Sequence, residues 1–242
     1  MIILKDPSKY LENKMNRLHK MNRILIIFLF FCVIGAFWGY IINNIIVIGS
    51  FLLLMKIDWM IYKKSRKKVD DYRKGIKGEQ AVINALKKLD DKYYLINDIT
   101  LQQPYGNIDH ILLGPNDIFV IETKNYEGTI ECNGDEWHRH YERRYGLKDY
   151  SIDSPSKQVK RNAVNLKKFL SVAKDIFNHK NLFINGIIVF TEPNIDLNLN
   201  NPTVPVLRTE ELRNYIENRK TNNQFTKNEL ESMAKSIIDA SK

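Results

Sequence analysis

The chain has 242 residues, 44% of them hydrophobic, with 37 Lys and Arg against 28 Asp and Glu, a net charge of +9. That length and composition can bury one soluble core and leave room for an appendage, while two distant cysteines, Cys32 and Cys132, suggest no disulfide framework, which fits a reducing compartment. Residues 1–74 hold 14 Lys and Arg against 5 Asp and Glu, and residues 75–242 hold 23 of each. The basic excess therefore belongs to the N-terminal segment and is no argument that the rest binds nucleic acid.

A basic segment, residues 1–23, leads into ILIIFLFFCVIGAFWGYII (24–42), 19 residues without a charge. As a helix this run is about 28 Å long, close to the ~30 Å hydrocarbon core of a bilayer. A second apolar run, 45–62, follows Asn43 and Asn44 but contains Lys56 and Asp58. It spans only if those charges sit near an interface, with Lys56 snorkelling and Trp59 and Tyr62 in the aromatic belt. Lys14, Arg17, Lys20 and Arg23 precede the first run and KKSRKK (63–68) follows the second. The positive-inside rule puts both flanks in the cytoplasm, so 24–62 reads as a transmembrane helical hairpin with its Asn43–Asn44 turn outside. The first run is too long, and starts too late, for the apolar core of a cleaved signal peptide. Residues 63–74 then form a basic juxtamembrane linker facing anionic headgroups. The expectation is a multi-pass protein of the cell membrane, touching lipid through the hairpin, with its globular domain cytoplasmic.

From residue 75 an α/β pattern begins. Ile76, Ile83, Leu86 and Leu89 have helical spacing, predicting an amphipathic helix that starts near Gly75 and Gly78. Strands are expected around 93–97, 107–113, 118–124 and 128–132. SPSKQ predicts a long helix capped by Ser154, with Pro155 at its first position, running to about Phe177. A buried strand over 181–190, a short one over 204–207, and two final helices opened by Thr209 and Thr226 complete the expected elements. The main domain is placed at 75–190, and a C-terminal strand and helices, 191–242, pack on it.

The stretch IDHILLGPNDIFVIETKN (108–125) carries acids where a core hairpin should be apolar. If GPND (114–117) makes the turn, Asp109 faces Glu122 across the hairpin, and Lys124 points to the same side. Opposed residues have Cβ atoms ~5 Å apart. Two carboxylates so close in a half-buried sheet raise each other's pKa unless a cation joins them. A hard divalent ion such as Mg²⁺, held by one or two carboxylates and sharing its other positions with water and phosphate, meets that need. Lys124 beside it could orient a water or stabilise phosphate charge. The competing account is an ion cluster in which Lys124 neutralises one acid.

The order GIKGEQ (75–80), IDHILLGPNDIFVIETKN (108–125), EGTI (127–130), Trp137 and PSKQ (155–158) resembles the nuclease-related domain, NERD, of the PD-(D/E)xK nuclease superfamily, over about residues 73–190. Membrane spans ahead of such a domain are a feature of bacterial members. The resemblance implies a central mixed sheet flanked by helices and a Mg²⁺-dependent phosphodiester hydrolase, with Mn²⁺ as the alternative ion and DNA favoured over RNA as partner. It assigns Glu79, Asp109 and Glu122 as metal ligands, and these with Lys124 and Gln158 as the catalytic set. Thr123 stands where the family has an apolar residue, and Ser154 where it has Asn. Taken singly, Glu79 also reads as a solvated acid favoured by a helix N-terminus, and Gln158 as part of a polar helix face. His110 points away from Asp109 by strand alternation and reads as a packed histidine.

Around the site, WHRHYERRYGLK (137–148) interleaves Arg139, Arg143 and Arg144 with Trp137, Tyr141 and Tyr145. Together with Lys157, Lys160 and Arg161 these suit a nucleic-acid groove, although a strand and exposed loop of ordinary charge gives the same pattern. His138 and His140 lack partners at zinc-ligand spacing. The alternative to an enzyme is a catalytically silent nucleic-acid-binding or signalling module that keeps the fold at the membrane.

Overall fold

The computed structural model describes residues 1–7, 10–101, 107–143, 146–172, 182–219 and 224–241. The chain forms two compact units, one from Lys9–Ile76 and the other from Met1–Ser8 with Lys77–Lys242.

The first unit is built on two helices, α1 (Tyr10–Ile41) and α2, which starts at Ile45 and continues to Leu86. The turn between them explains its asparagines. Asn43 takes a left-handed φ of 50°, which asparagine tolerates, and the Asn44 side chain caps α2 by accepting from the Ile46 and Val47 N–H groups at 3.1 and 3.2 Å. Two glycines let the helices close up: a Cβ at Gly35 would overlap the Phe51 ring, and one at Gly39 would lie 2.9 Å from Val47. The apolar windows of α1 and α2 are only 11% and 6% buried, so they are not the core helices of a soluble domain. Both are long and apolar enough to cross a membrane.

The helix expected to start at residue 75 is instead the end of α2, which runs unbroken through KKSRKK and both glycines. Gly in a helix interior costs ~1 kcal/mol relative to Ala, but at Gly78 close packing decides. A Cβ there would meet Thr191 at 3.0 Å, Asn125 at 3.1 Å and Thr123 at 3.2 Å, so glycine permits the last turns of α2 to lie against the sheet.

The second unit has a six-stranded mixed sheet formed by β1 (Ile2–Lys5), β2 (Tyr94–Thr100), β3 (Asn107–Leu113), β4 (Ile118–Lys124), β8 (Ile184–Phe190) and β10 (Val206–Arg208), in that spatial order. β2, β3 and β4 are antiparallel neighbours; β1 joins β2, β8 joins β4, and β10 joins β8, all in parallel. A smaller sheet, absent from the sequence reading as a separate layer, has the order β7 (Gly146–Ser151), β6 (Glu136–Arg143), β5 (Thr129–Asn133) and β9 (Asp196–Asn200).

Strand alternation splits the core into two layers. On one face Ile111, Val120 and Ile188 pack with Trp137, with Val159 and Leu166 of α3 (Pro155–Val172), and with Met233 of α5 (Lys227–Ala240). On the other, Leu112, Phe119 and Ile187 meet Val82 and Leu86 of α2 and Leu212 of α4 (Thr209–Glu217). Helix starts follow the sequence closely. The Ser154 hydroxyl accepts from Lys157 N–H at 3.2 Å, and Thr226 forms a capping box with Glu229. At α4 the cap is one residue earlier than expected, at Arg208, whose N–H donates to Glu211 at 2.6 Å. Phe177, the expected end of α3, lies outside the described residues.

Candidate active site

The hairpin β3–β4 is closed by Gly114 N–H donating to the Asp117 carbonyl at 2.9 Å, and it pairs His110 with Ile121 and Ile111 with Val120. That register puts Asp109 opposite Glu122, as the sequence predicts. The backbone ladder stops there, and the Asp109 carboxylate takes over, accepting from Thr123 N–H at 2.9 Å. Lys124 reaches back along its own strand to Glu122, Nζ to Oε1 at 2.5 Å, and donates to Gln158 of α3 at 3.2 Å. Four of the five expected catalytic side chains thus meet on one face at the sheet end.

Glu122 is 2% exposed, and its second oxygen, Oε2, is buried with no partner. An unsatisfied charged oxygen in that setting is costly. Burial pushes the Glu122 carboxyl up to about 8, reinforced by Asp109 and opposed by Lys124 and Arg161. Asp109 is likewise raised, by burial above all, against the pull of the Thr123 N–H and Lys124. Burial acts downward on Lys124, but Glu122, Tyr126 and Asp109 together raise it, so it stays an ammonium. Glu79 arrives from α2; burial, then Asp109 and Asp98, push it up to about 7. A solvated helix-end acid would not be moved this way. Among the described residues, no three His, Cys, Asp or Glu side chains are gathered as a finished metal-binding group. Glu79 feels the charges of Asp109 and Asp98.

Asp98 is a site acid that sequence reasoning missed. β2 pairs Asn97 with His110 and Ile99 with Ile108, which sets Asp98 opposite Asp109. It has a left-handed φ of 52°, accepts from Asn107 Nδ2 at 2.6 Å, and its charge raises both Asp109 and Glu79. Only the Asn-Asp pair at the end of the strand expected over 93–97 hinted at a break in the regular backbone.

The basic residues divide into two groups. Lys157 and Arg161 are exposed on α3, and Arg161 lies close enough to act on Glu122. Lys160 is engaged instead by Asp135, at 2.6 and 2.8 Å, and by Thr203. Arg139 packs between the Tyr126 and Tyr141 rings, 5.1 Å from each centroid, and donates to the Glu127 carbonyl at 2.9 Å. Both therefore support the fold around the site. The Arg143 side chain and Arg144 lie outside the described residues. His110 is fully buried and hydrogen-bonded, as expected of a packed histidine, and burial pushes it down to about 3.

Residues 74–191 match the family model of NERD, the nuclease-related domain. An uncharacterized protein of Bacillus anthracis is 48% identical over 61 residues, a stretch covering 24% of this chain and 29% of that protein. The chain thus spans under a third of the length of that relative. No solved structure matches.

Proposed function

We propose, from the premise that residues 74–191 of this chain are a nuclease-related domain, that it is a membrane-anchored nuclease hydrolysing phosphodiester bonds with a divalent cation, DNA being the preferred substrate. The observation that carries this reading is the buried, partnerless Oε2 of Glu122, an acid set opposite Asp109 by the hairpin register. The donor set is hard carboxylate oxygen, as Mg²⁺ or Mn²⁺ requires. Asp109 and Glu122 would hold the ion, with Glu79 and Asp98 adding negative field. The ion would supply charge stabilisation at the phosphate and a more acidic water. Lys124, steadied by Glu122 and the Gln158 side-chain oxygen, would direct its one remaining proton at the attacking water or at phosphate oxygen. Lys157 and Arg161 would contact the backbone of the nucleic acid.

The test is a cleavage assay on the full chain in detergent micelles, with plasmid DNA, linear DNA and RNA, each with Mg²⁺, Mn²⁺ or chelator. Cleavage should need the ion and fall steeply with salt as phosphate contacts are screened. Cleavage that survives chelation, or none on any substrate, overturns the reading.

Anchoring has its own test. If both flanks of the helical pair are cytoplasmic, a Cys placed at Asn44 should be labelled from outside intact cells and one placed at the exposed Lys67 should be spared. Native Cys32 and Cys132 are both buried, which keeps background low. Labelling at 67 would sink the hairpin topology.

A further inference from the structure

A chain of hydrogen bonds runs behind the acid pair, on the face of the sheet away from it. Asn97 Nδ2 donates to the Lys5 carbonyl of β1 at 2.9 Å. That bond fixes the amide so that its Oδ1 meets His110 Nδ1 at 2.7 Å. Since an amide oxygen only accepts, the proton must sit on Nδ1. His110 is buried among neutral partners, so its Nε2 is bare and accepts from the Thr123 hydroxyl at 3.1 Å. Thr123 in turn holds Asp109 through its backbone N–H. Every donor and acceptor along this line has one assignment. Threonine at a position where the resemblance leads one to expect an apolar residue thereby has a physical reason: it is the link between a buried imidazole and the site acid.

We propose that Asn97, His110 and the Thr123 hydroxyl are positioning residues that set the Asp109 carboxylate for its ion, with β1 as the fixed end of the line. The inference rests on the functional reading above, in which Asp109 is a ligand. Groups that orient ligands from behind are worth about 10- to 100-fold in metal affinity or activity. They act on how the carboxylate is held, not on whether substrate is bound.

The experiment uses the full chain in micelles, with two readouts. The first is the ring ¹⁵N shifts of labelled histidine, with the His110 signal identified by its loss in His110→Gln. The Nδ1–H tautomer is expected, and the Nε2–H tautomer overturns the proposal. The second is Mn²⁺ affinity by calorimetry beside cleavage kinetics. Thr123→Val, which removes only the hydroxyl, and His110→Leu should each weaken Mn²⁺ binding and lower kcat about 10- to 100-fold with KM for nucleic acid nearly unchanged. The double variant should lose no more than either single one, because the same link is cut. His110→Gln, which can donate to Asn97 and accept from Thr123, should recover most of the loss. A structural histidine would shift melting temperature in these variants and leave Mn²⁺ affinity at the wild-type value, which overturns the proposal. If His110→Leu does not fold, Thr123→Val alone decides. Mn²⁺ binding without cleavage of any nucleic acid would overturn the functional reading and leave this one standing; no Mn²⁺ binding by the wild type would overturn both.

Discussion

Asp109→Asn is expected to abolish ion-dependent cleavage, by at least about 10³-fold, while leaving the domain folded. Removing the charge that, on the proposed reading, would hold the ion should forfeit several kcal/mol of transition-state stabilisation, and each ~1.4 kcal/mol is a factor of ten. The fold survives because an Asn oxygen can still accept from Thr123 N–H, the bond Asp109 makes now. Lys124 is not orphaned either, since its ammonium is held by Glu122 and Gln158. In chelator, the melting temperature should therefore hold or rise, and Mg²⁺ should no longer raise it. The pH dependence gives a second check. In the folded protein Glu79 is raised from 4.5 to about 7 and Glu122 from 4.5 to about 8, so between those values the folded state holds protons that the unfolded chain has released. Without an ion, stability of the wild type should fall as pH rises from about 4.5 to about 8. Asp109→Asn removes a charge that raises both groups, so the decline should shrink. A large loss of stability in chelator would instead mark Asp109 as one half of a structural ion pair and remove the case for a metal site.

Lys124→Met should separate ion binding from chemistry. Loss of a positioned proton donor costs typically about 10² to 10⁴-fold in rate, and the variant should fall in that range at saturating Mg²⁺. Its ion binding should persist or strengthen, because the ammonium now bonded to Glu122 Oε1 at 2.5 Å no longer competes for the carboxylate. Melting curves with and without Mg²⁺ read the binding, and single-turnover cleavage reads the chemistry. If Lys124 served only to neutralise Glu122, saturating ion would replace it, and cleavage would stay close to wild type.

The convergence of Asp109, Glu122 and Lys124 was legible because a short turn fixes the register of a hairpin, and strand alternation then fixes the face. The start of α3 was legible for a similar reason, since Ser154 and Pro155 act locally. What escaped depends on partners distant in sequence. β1 is four residues pairing in parallel with a strand some ninety positions on, and nothing local announces it. β9 reads DLNLN, too polar to suggest a strand until it pairs with β5. Gly75 and Gly78 look like a helix start, and only contact with Thr123, Asn125 and Thr191 shows Gly78 to be a packing position. Lys160 reads as a cation for a nucleic-acid groove because its partner, Asp135, lies in the distant turn between β5 and β6.

The placement of β1 constrains how this protein can be made and handled. Its strand partner belongs to a unit resumed only at Lys77, so the two apolar helices interrupt a fold already begun. Any bilayer crossing by that insertion must occur an even number of times, or the first strand would be marooned on the wrong side of the lipid from the sheet it completes. During synthesis the strand emerges first and has to wait, unpaired, for β2. A soluble fragment cut at the membrane boundary would leave the β2 edge bare, with its row of unmet backbone groups open to pairing between molecules. Such a fragment should self-associate, whereas one in which a short flexible linker replaces residues 9–76 should stay monomeric.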